Sequence, residues 1–247
     1  PLIHGAGHLL NNWSARAGYA GVYCTPVSPT ILPERTYDRW FDRFSMVLYQ
    51  GRRLYPFLSL DELQRFTVST ANTDYDVASP VAVPFDGFTV DGNNICVHLR
   101  TRQQPATNSV RLSIHNFGFR VRAPHVQFRD LEFRYFGHAR RANAVRLDPI
   151  GNDADDRAAT PADYAVVSGN TFHVNDVGVG VGLNADHAVI QHNDFEELLV
   201  NEWPWDSIKL RDGLLSELEA GGVYFFGDLD APHVAEGAVK MLPRPMV

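Results

Sequence analysis

His125-Val126-Gln127-Phe128-Arg129-Asp130-Leu131-Glu132-Phe133 is a phrase that recurs along the chain. It returns as Tyr164-Ala165-Val166-Val167-Ser168-Gly169-Asn170-Thr171-Phe172, and again as His187-Ala188-Val189-Ile190-Gln191-His192-Asn193-Asp194-Phe195. The shared frame is two β-forming residues, then Leu or Asn, one variable position, and Phe. A second strand-like stretch precedes each phrase, at residues 119–122, 144–147 and 179–183. Residues 223–226 form a fourth, followed by Ala231-Pro232-His233-Val234, which echoes Ala123-Pro124-His125-Val126.

Phe172 and Phe195 are 23 residues apart. Phe133 and Phe172 are 39 apart, one such period with a 16-residue insertion. Val179 and Val223 are 44 apart, close to two turns of 22. Short strands at this period cannot bury their apolar side alone. Stacked coils can, because like residues fall above like residues. Asn170 and Asn193 are then expected to form an internal asparagine ladder. Phe133, Phe172 and Phe195 are expected to form an aromatic column. His125, His187 and His233 recur at one place in the repeat, which predicts a stacking or turn role.

The Asn170-Thr171-Phe172 and Asn193-Asp194-Phe195 turns, with the strands before them, resemble right-handed parallel β-helix repeat proteins of the pectate-lyase-like class. Glu202-Trp203-Pro204-Trp205-Asp206-Ser207-Ile208-Lys209, leading into Gly221-Gly222-Val223-Tyr224, is similar to such repeats as well. The resemblance covers roughly residues 110–235. It implies an all-β protein: a right-handed parallel β-helix segment over 110–247, with an N-terminal antiparallel β lobe over 1–109. It implies a piece of a longer solenoid, and a protein found outside the cell or in the periplasm. Proteins of this class include polysaccharide lyases, glycoside hydrolases, epimerases and inert scaffolds.

The first hundred residues support the lobe. Residues 44–49 and 53–57 flank Gln50-Gly51, and residues 88–90 and 95–99 flank Asp91-Gly92-Asn93-Asn94, two hairpin signals. Ser59-Leu60-Asp61-Glu62 is a capping-box pattern that opens one short helix, with Leu60, Leu63 and Phe66 on one side. Cys24 and Cys96 fall in different strand-like stretches. They read as a disulfide or as two buried thiols, and no Cys/His spacing points to zinc.

Of the 247 residues, 45% are apolar and 21% charged, which supports a sizeable core. No apolar run approaches the roughly 18 residues of a membrane span. The net charge is −7, and no nucleic-acid-binding motif occurs, so nucleic acid is a poor partner. The charge is unevenly spread. Residues 100–146 carry ten Arg against Asp130 and Glu132, while residues 147–247 carry 18 acids against five bases. The two bands either offset each other within the fold or form a groove for an anionic ligand.

Two places carry candidate chemistry. The first is the insertion after Leu147, with Asn152-Asp153-Ala154-Asp155-Asp156. Ca²⁺ takes about six to eight oxygen ligands, so Asp153, Asp155 and Asp156 are candidate metal ligands. The plain alternative is a solvated acidic loop neutralised by Arg140, Arg141 and Arg157. The second is Trp203 to Arg211. A strand over 207–211 would turn Ile208 and Leu210 inward and Lys209 and Arg211 outward. Beside Trp203 and Trp205, these cations fit a sugar-acid subsite, because aromatic faces pack on sugars and cations bind carboxylates. Arg140 and Arg141 are further candidates for binding the substrate. The alternative is packing for the Trp pair and surface positions for the cations.

In a uronate lyase, the substrate carboxylate is neutralised, a base takes the adjacent proton, and the 4-linked oxygen leaves. Ca²⁺ or Arg neutralises, and a Lys or Arg of lowered pKa acts as base. Lys209 and Arg211 have that chemistry, and the resemblance implies such roles by residue type. The leading expectation is therefore an extracellular carbohydrate-active protein, a lyase on an acidic polysaccharide. A non-catalytic glycan-binding or structural scaffold stands as the alternative. A glycoside hydrolase is the third, drawing on Asp176, Asp186, Asp194, Glu196, Glu197 or Asp206. Gly178-Val179-Gly180-Val181-Gly182 is not a dinucleotide fingerprint, because Leu183 stands where a further Gly is needed.

Overall fold

The computed structural model describes residues 1–32, 46–57, 59–68, 81–137, 142–147, 162–182, 185–197 and 221–225. Its second half is a right-handed parallel β-helix built from three sheets. Sheet one stacks Phe117–Val121, Asn143–Leu147, Val177–Val181 and Gly221–Phe225. Sheet two stacks Gln127–Arg129, Val166–Ser168 and Val189–Gln191. Sheet three stacks Leu2–His4, Glu132–Arg134, Thr171–His173 and Asp194–Glu196. Each coil visits the sheets in that order, and every neighbouring pair within them is parallel.

The repeat phrase is two strands rather than one strand and a turn. A single left-handed residue bends the chain between sheets two and three: Asp130, Gly169 and His192 at φ 54°, 69° and 53°. The residue that follows is Leu131, Asn170 or Asn193, and the strand around the Phe begins directly after it. Two more left-handed positions repeat in each coil, at His125, Tyr164 and His187 and at Tyr135, Val174 and Glu197. The bends therefore share one backbone state from coil to coil, and this keeps the strands in register.

The expected ladder and column are present. Asn170 Nδ2 donates to Asn193 Oδ1 (3.0 Å) and to the Phe128 carbonyl (3.0 Å). Asn193 Nδ2 donates to the Val167 carbonyl (2.9 Å). The Phe133, Phe172 and Phe195 rings lie nearly parallel, with centroids 5.0 and 4.9 Å apart. His125, Tyr164 and His187 stack on the outside at 5.1 and 4.8 Å, in keeping with a stacking role for the two histidines. His233 lies outside the described residues.

The lobe is mostly antiparallel: two larger sheets, one of them with a parallel edge at Tyr55–Pro56, a two-stranded sheet of Thr67–Val68 and Val81–Ala82, and one helix. Val22–Pro26, Asn94–His98 and Gly87–Asp91 form the centre of one sheet, with Ser14–Ala15 and Tyr55–Pro56 at its edges. His8–Leu10, Val110–Leu112, Val47–Tyr49 and Arg52–Arg53 form the other. Both expected hairpins occur, around Gln50-Gly51 and Gly92-Asn93. The helix is Leu60–Arg65, capped by Ser59 Oγ, which accepts from the Glu62 N–H (3.2 Å). Cys24 and Cys96 face each other in register on adjacent antiparallel strands and are joined by a disulfide.

Two strands fall on the other side of the boundary drawn at residues 109 and 110. Leu2–His4 pairs with Glu132–Arg134 in the solenoid, and Val110–Leu112 pairs with lobe strands. Three-residue strands carry too little alternation to declare their sheet from sequence. The lobe is therefore inserted between the first solenoid strand and the first full coil. The junction is packed by Ala6, Met46, Leu48, Tyr135 and Val174. The Met46 N–H donates to the Gly137 carbonyl (2.8 Å), and Ser113 Oγ donates to the Tyr135 carbonyl (2.9 Å).

Candidate functional site

Alternation along a strand decides what sheet three shows to solvent. Phe133 and Phe172 are fully buried, so the residues on either side of each point outward. Register then lines up His4, Arg134, His173 and Glu196 in one row along the solenoid axis. Leu2, Glu132, Thr171 and Asp194 form the neighbouring row. Strands are about 4.8 Å apart, so each coil offers one side chain to each row at that interval.

Arg134 is held on this face from two sides. Glu132 accepts from its guanidinium, and Tyr135 is hydrogen-bonded to it. Burial opposes its charge, but Glu132 and Tyr135 together hold its pKa above the ordinary arginine value. The side chain still keeps 37% of its surface exposed. Tyr135 is itself buried, and its ring meets His4 edge-on at 4.9 Å and His173 at 6.4 Å. Burial pushes the His4 pKa below the ordinary imidazole value, and Arg111 and Arg134 push it further down. His173 faces two carboxylates of the next coil: Nδ1 is 3.2 Å from Glu196 Oε2, and Nε2 is 3.8 Å from Glu197 Oε2.

The lobe borders this face. The turn at Gly51 approaches the Tyr135 hydroxyl so closely that a Cβ there would sit 3.3 Å from it. Gly51 also has φ +84°, which favours glycine on its own. From the same hairpin, Arg53 forms an ion pair with Asp176, which follows the third strand of coil two. Both side chains are mostly buried, at 12% and 15% exposure. Burial raises the Asp176 pKa, and Arg53 opposes that rise.

A neutral imidazole, a fixed guanidinium and several carboxylates thus share one exposed face. The arrangement can bind an anion, accept a proton and engage a repeating ligand laid along the axis. Of the carboxylates considered from sequence, Asp194 and Glu196 lie on this face, and Glu197 follows directly after it. Asp176 is committed to Arg53. Asp186 lies in a turn where its N–H binds Asp163 Oδ1 (2.9 Å).

The other expected site residues lie outside the described residues. These are Lys209, Arg211, Trp203 and Trp205, Arg140 and Arg141, and the acidic Asp153, Asp155 and Asp156. Among the described residues, no group of three or more His, Cys, Asp or Glu side chains is placed to hold a metal ion. Sequence reasoning missed His4, Glu132, Arg134 and His173. Reading Asn-x-Phe as a turn concealed the third sheet. The residues flanking each Phe were the available signal.

No family model matches the chain, and no curated protein matches it. Among solved structures, the chain is similar to one described as the complex structure of XylC with xylose. The TM-score is 0.53 at 11% identity, over 78% of this chain and 43% of that one. The chain thus spans less than half the length of that relative. A likeness at this identity shows the fold alone. The fold is a parallel β-helix. No described helix is long and apolar enough to cross a membrane.

Proposed function

We propose that the chain is an extracellular carbohydrate-active protein, a lyase on a uronate-containing polysaccharide laid along the outward face of sheet three. The observation that carries this reading is the register row of His4, Arg134, His173 and Glu196, one side chain per coil. A row that repeats with the strand spacing suits a polymer better than a single small molecule. The XylC structure, solved with xylose, lends support to a carbohydrate ligand. The Cys24–Cys96 disulfide supports an oxidising compartment.

Arg134 receives the uronate carboxylate, and its charge makes the neighbouring C–H more acidic. His4 takes that proton, because its lowered pKa keeps it unprotonated at neutral pH. The C–H electron pair becomes the new C=C bond as the 4-linked oxygen departs with its own bonding pair. That oxygen then takes a proton from solvent. Lys209 and Arg211 remain proposed as a further base and carboxylate-binding pair, and Trp203 and Trp205 as sugar platforms. Arg140 and Arg141 are proposed to contact the anionic chain. Ca²⁺ is proposed at Asp153, Asp155 and Asp156, where it would supply carboxylate neutralisation.

A hydrolase is favoured by one specific relationship. Asp194 and Glu196 lie two residues apart on one strand face, and a hydrolase needs two carboxylates beside the bond it cleaves. A panel of pectic, alginate-like and glycosaminoglycan polymers, read by ultraviolet absorbance and by reducing ends, separates the readings. Absorbance growth that Arg134→Gln abolishes supports the lyase. Reducing ends without absorbance, lost in Glu196→Gln, establish the hydrolase. Saturable binding without product leaves a glycan-binding module and refutes both enzymes.

A further inference from the structure

The face of sheet three is electrically polarised along the solenoid axis. At the first coil stand His4 and Arg134, with Arg111 close enough to depress the His4 pKa. The acid there, Glu132, is bonded to Arg134. Two coils further on stand Asp194, Glu196 and Glu197. Glu196 and Glu197 are 58% and 71% exposed, and the cation-forming group they face among the described residues is the imidazole of His173. The two ends are two strand spacings apart, about 9.6 Å.

We infer that this face selects a polysaccharide whose uronates are isolated: the acidic unit sits at Arg134, and units without acid groups run past Asp194, Glu196 and Glu197. The inference rests on the reading above, that a glycan lies along sheet three. Each unit of an extended glycan advances by a length comparable to one strand spacing. A chain anchored by a carboxylate at Arg134 therefore brings a later unit against Glu196 within two units. A second uronate at that point meets three carboxylates at close range, and like charges so placed disfavour the complex. A neutral unit escapes the repulsion, and a cationic amino sugar is attracted to the three carboxylates. A polymer of consecutive uronates is thus attracted at one end of the face and repelled at the other.

The test uses three oligosaccharides of equal length and measures dissociation constants on the whole chain by calorimetry. One is a neutral xylo-oligosaccharide, one is the same carrying a single glucuronate, and one is an oligogalacturonate. The singly acidic ligand is expected to bind about tenfold more tightly than either of the others. Arg134→Gln should erase its advantage over the neutral ligand. Glu196→Gln combined with Glu197→Gln should bring the oligogalacturonate level with it. Both substitutions in that pair are at exposed positions, and circular dichroism checks the fold of each variant. Equal binding of oligogalacturonate and the singly acidic ligand by the unaltered protein overturns the inference while leaving the glycan-binding reading in place. A ratio unmoved by the paired Glu substitutions overturns it too. If none of the three ligands binds, the inference falls together with the reading beneath it.

Discussion

Asn170 Nδ2 donates to Asn193 Oδ1 across 3.0 Å, joining two coils through their interior. Asn170 also accepts from the Leu131 N–H (3.0 Å) and donates to the Phe128 carbonyl (3.0 Å), so its amide serves three coils. Asn170→Ala leaves that part-buried N–H without its side-chain partner and takes one bond from the buried carbonyl, whose strand stays paired to Val166–Ser168. An unsatisfied buried group costs about 1–3 kcal/mol, and each further hydrogen bond lost about 1 kcal/mol. The variant should lose about 2–5 kcal/mol of stability in urea unfolding. A loss below about 0.5 kcal/mol, no more than an ordinary surface substitution, would show that the ladder is dispensable.

Phe172 sits between Phe133 and Phe195 in the column and is fully buried. Phe172→Ala removes two ring contacts and opens a cavity, for an expected cost of about 3–5 kcal/mol. Phe172→Leu fills much of the space and should cost clearly less. Unfolding midpoints of the two variants decide the matter. Equal losses would mean that the stacked-ring geometry outweighs filled volume.

The period was legible because solenoid coils must repeat their inward residues. Phe133, Phe172 and Phe195 announced the column, and Asn170 and Asn193 the ladder. Hairpins at Gln50-Gly51 and Asp91-Gly92-Asn93-Asn94 were equally plain, since their turns demand left-handed residues. The functional face was not legible, because the outward positions of a solenoid are free to vary. Glu132, Thr171 and Asp194 share a row but no one residue type, as do Arg134, His173 and Glu196. Only the register shows that they are neighbours. Leu2–His4 was hidden for another reason: its partner strand lies beyond the whole lobe, and three residues carry no period.

Cys24 and Cys96 close a loop with a sequence separation of 72 residues between the two central strands of the lobe sheet. Such a cross-link restrains the unfolded chain, and native disulfides contribute about 2–5 kcal/mol. Reduction with dithiothreitol should lower the unfolding midpoint of the lobe accordingly. Cys24→Ser with Cys96→Ser should reproduce the shift without reductant. A midpoint indifferent to reductant in the unaltered protein would show that the two thiols do not pair.

His98 supplies a pH signature. Its ring is buried and stacked on Phe66 at 4.2 Å. Nδ1 is 3.1 Å from the Leu63 carbonyl, so that nitrogen carries the proton. Nε2 is buried with no hydrogen-bond partner among the described residues. Burial holds the pKa below 6.5; the Leu63 carbonyl and Asp86 oppose the shift, and Arg102 and Arg100 reinforce it. Below about pH 6.5, the unfolded chain takes up a proton that the folded protein refuses, so stability falls as the pH drops from there toward the folded value. Above that point the group makes no difference. His98→Gln should flatten this part of the stability profile. An NMR titration placing His98 above 6.5 would reverse the sign and refute the account.

Arg53 and Asp176 pin the lobe hairpin to the solenoid, and with it the Gly51 turn that borders Tyr135. Both are mostly buried, so removing one strands the other. Asp176→Ala leaves the guanidinium without its anion and should cost about 3–5 kcal/mol. Arg53→Leu should cost a similar amount by stranding the carboxylate, softened because a buried Asp can protonate. The double variant should recover much of the loss, since an apolar pair can replace a buried ion pair at little net cost. Unfolding free energies of the four proteins give the coupling directly. Strictly additive losses would show that the two charges do not act on each other. A strong coupling would also predict that either single variant disturbs the imidazole signals of His4 and His173, both of which contact Tyr135. Silence in those signals would separate the latch from the face it borders.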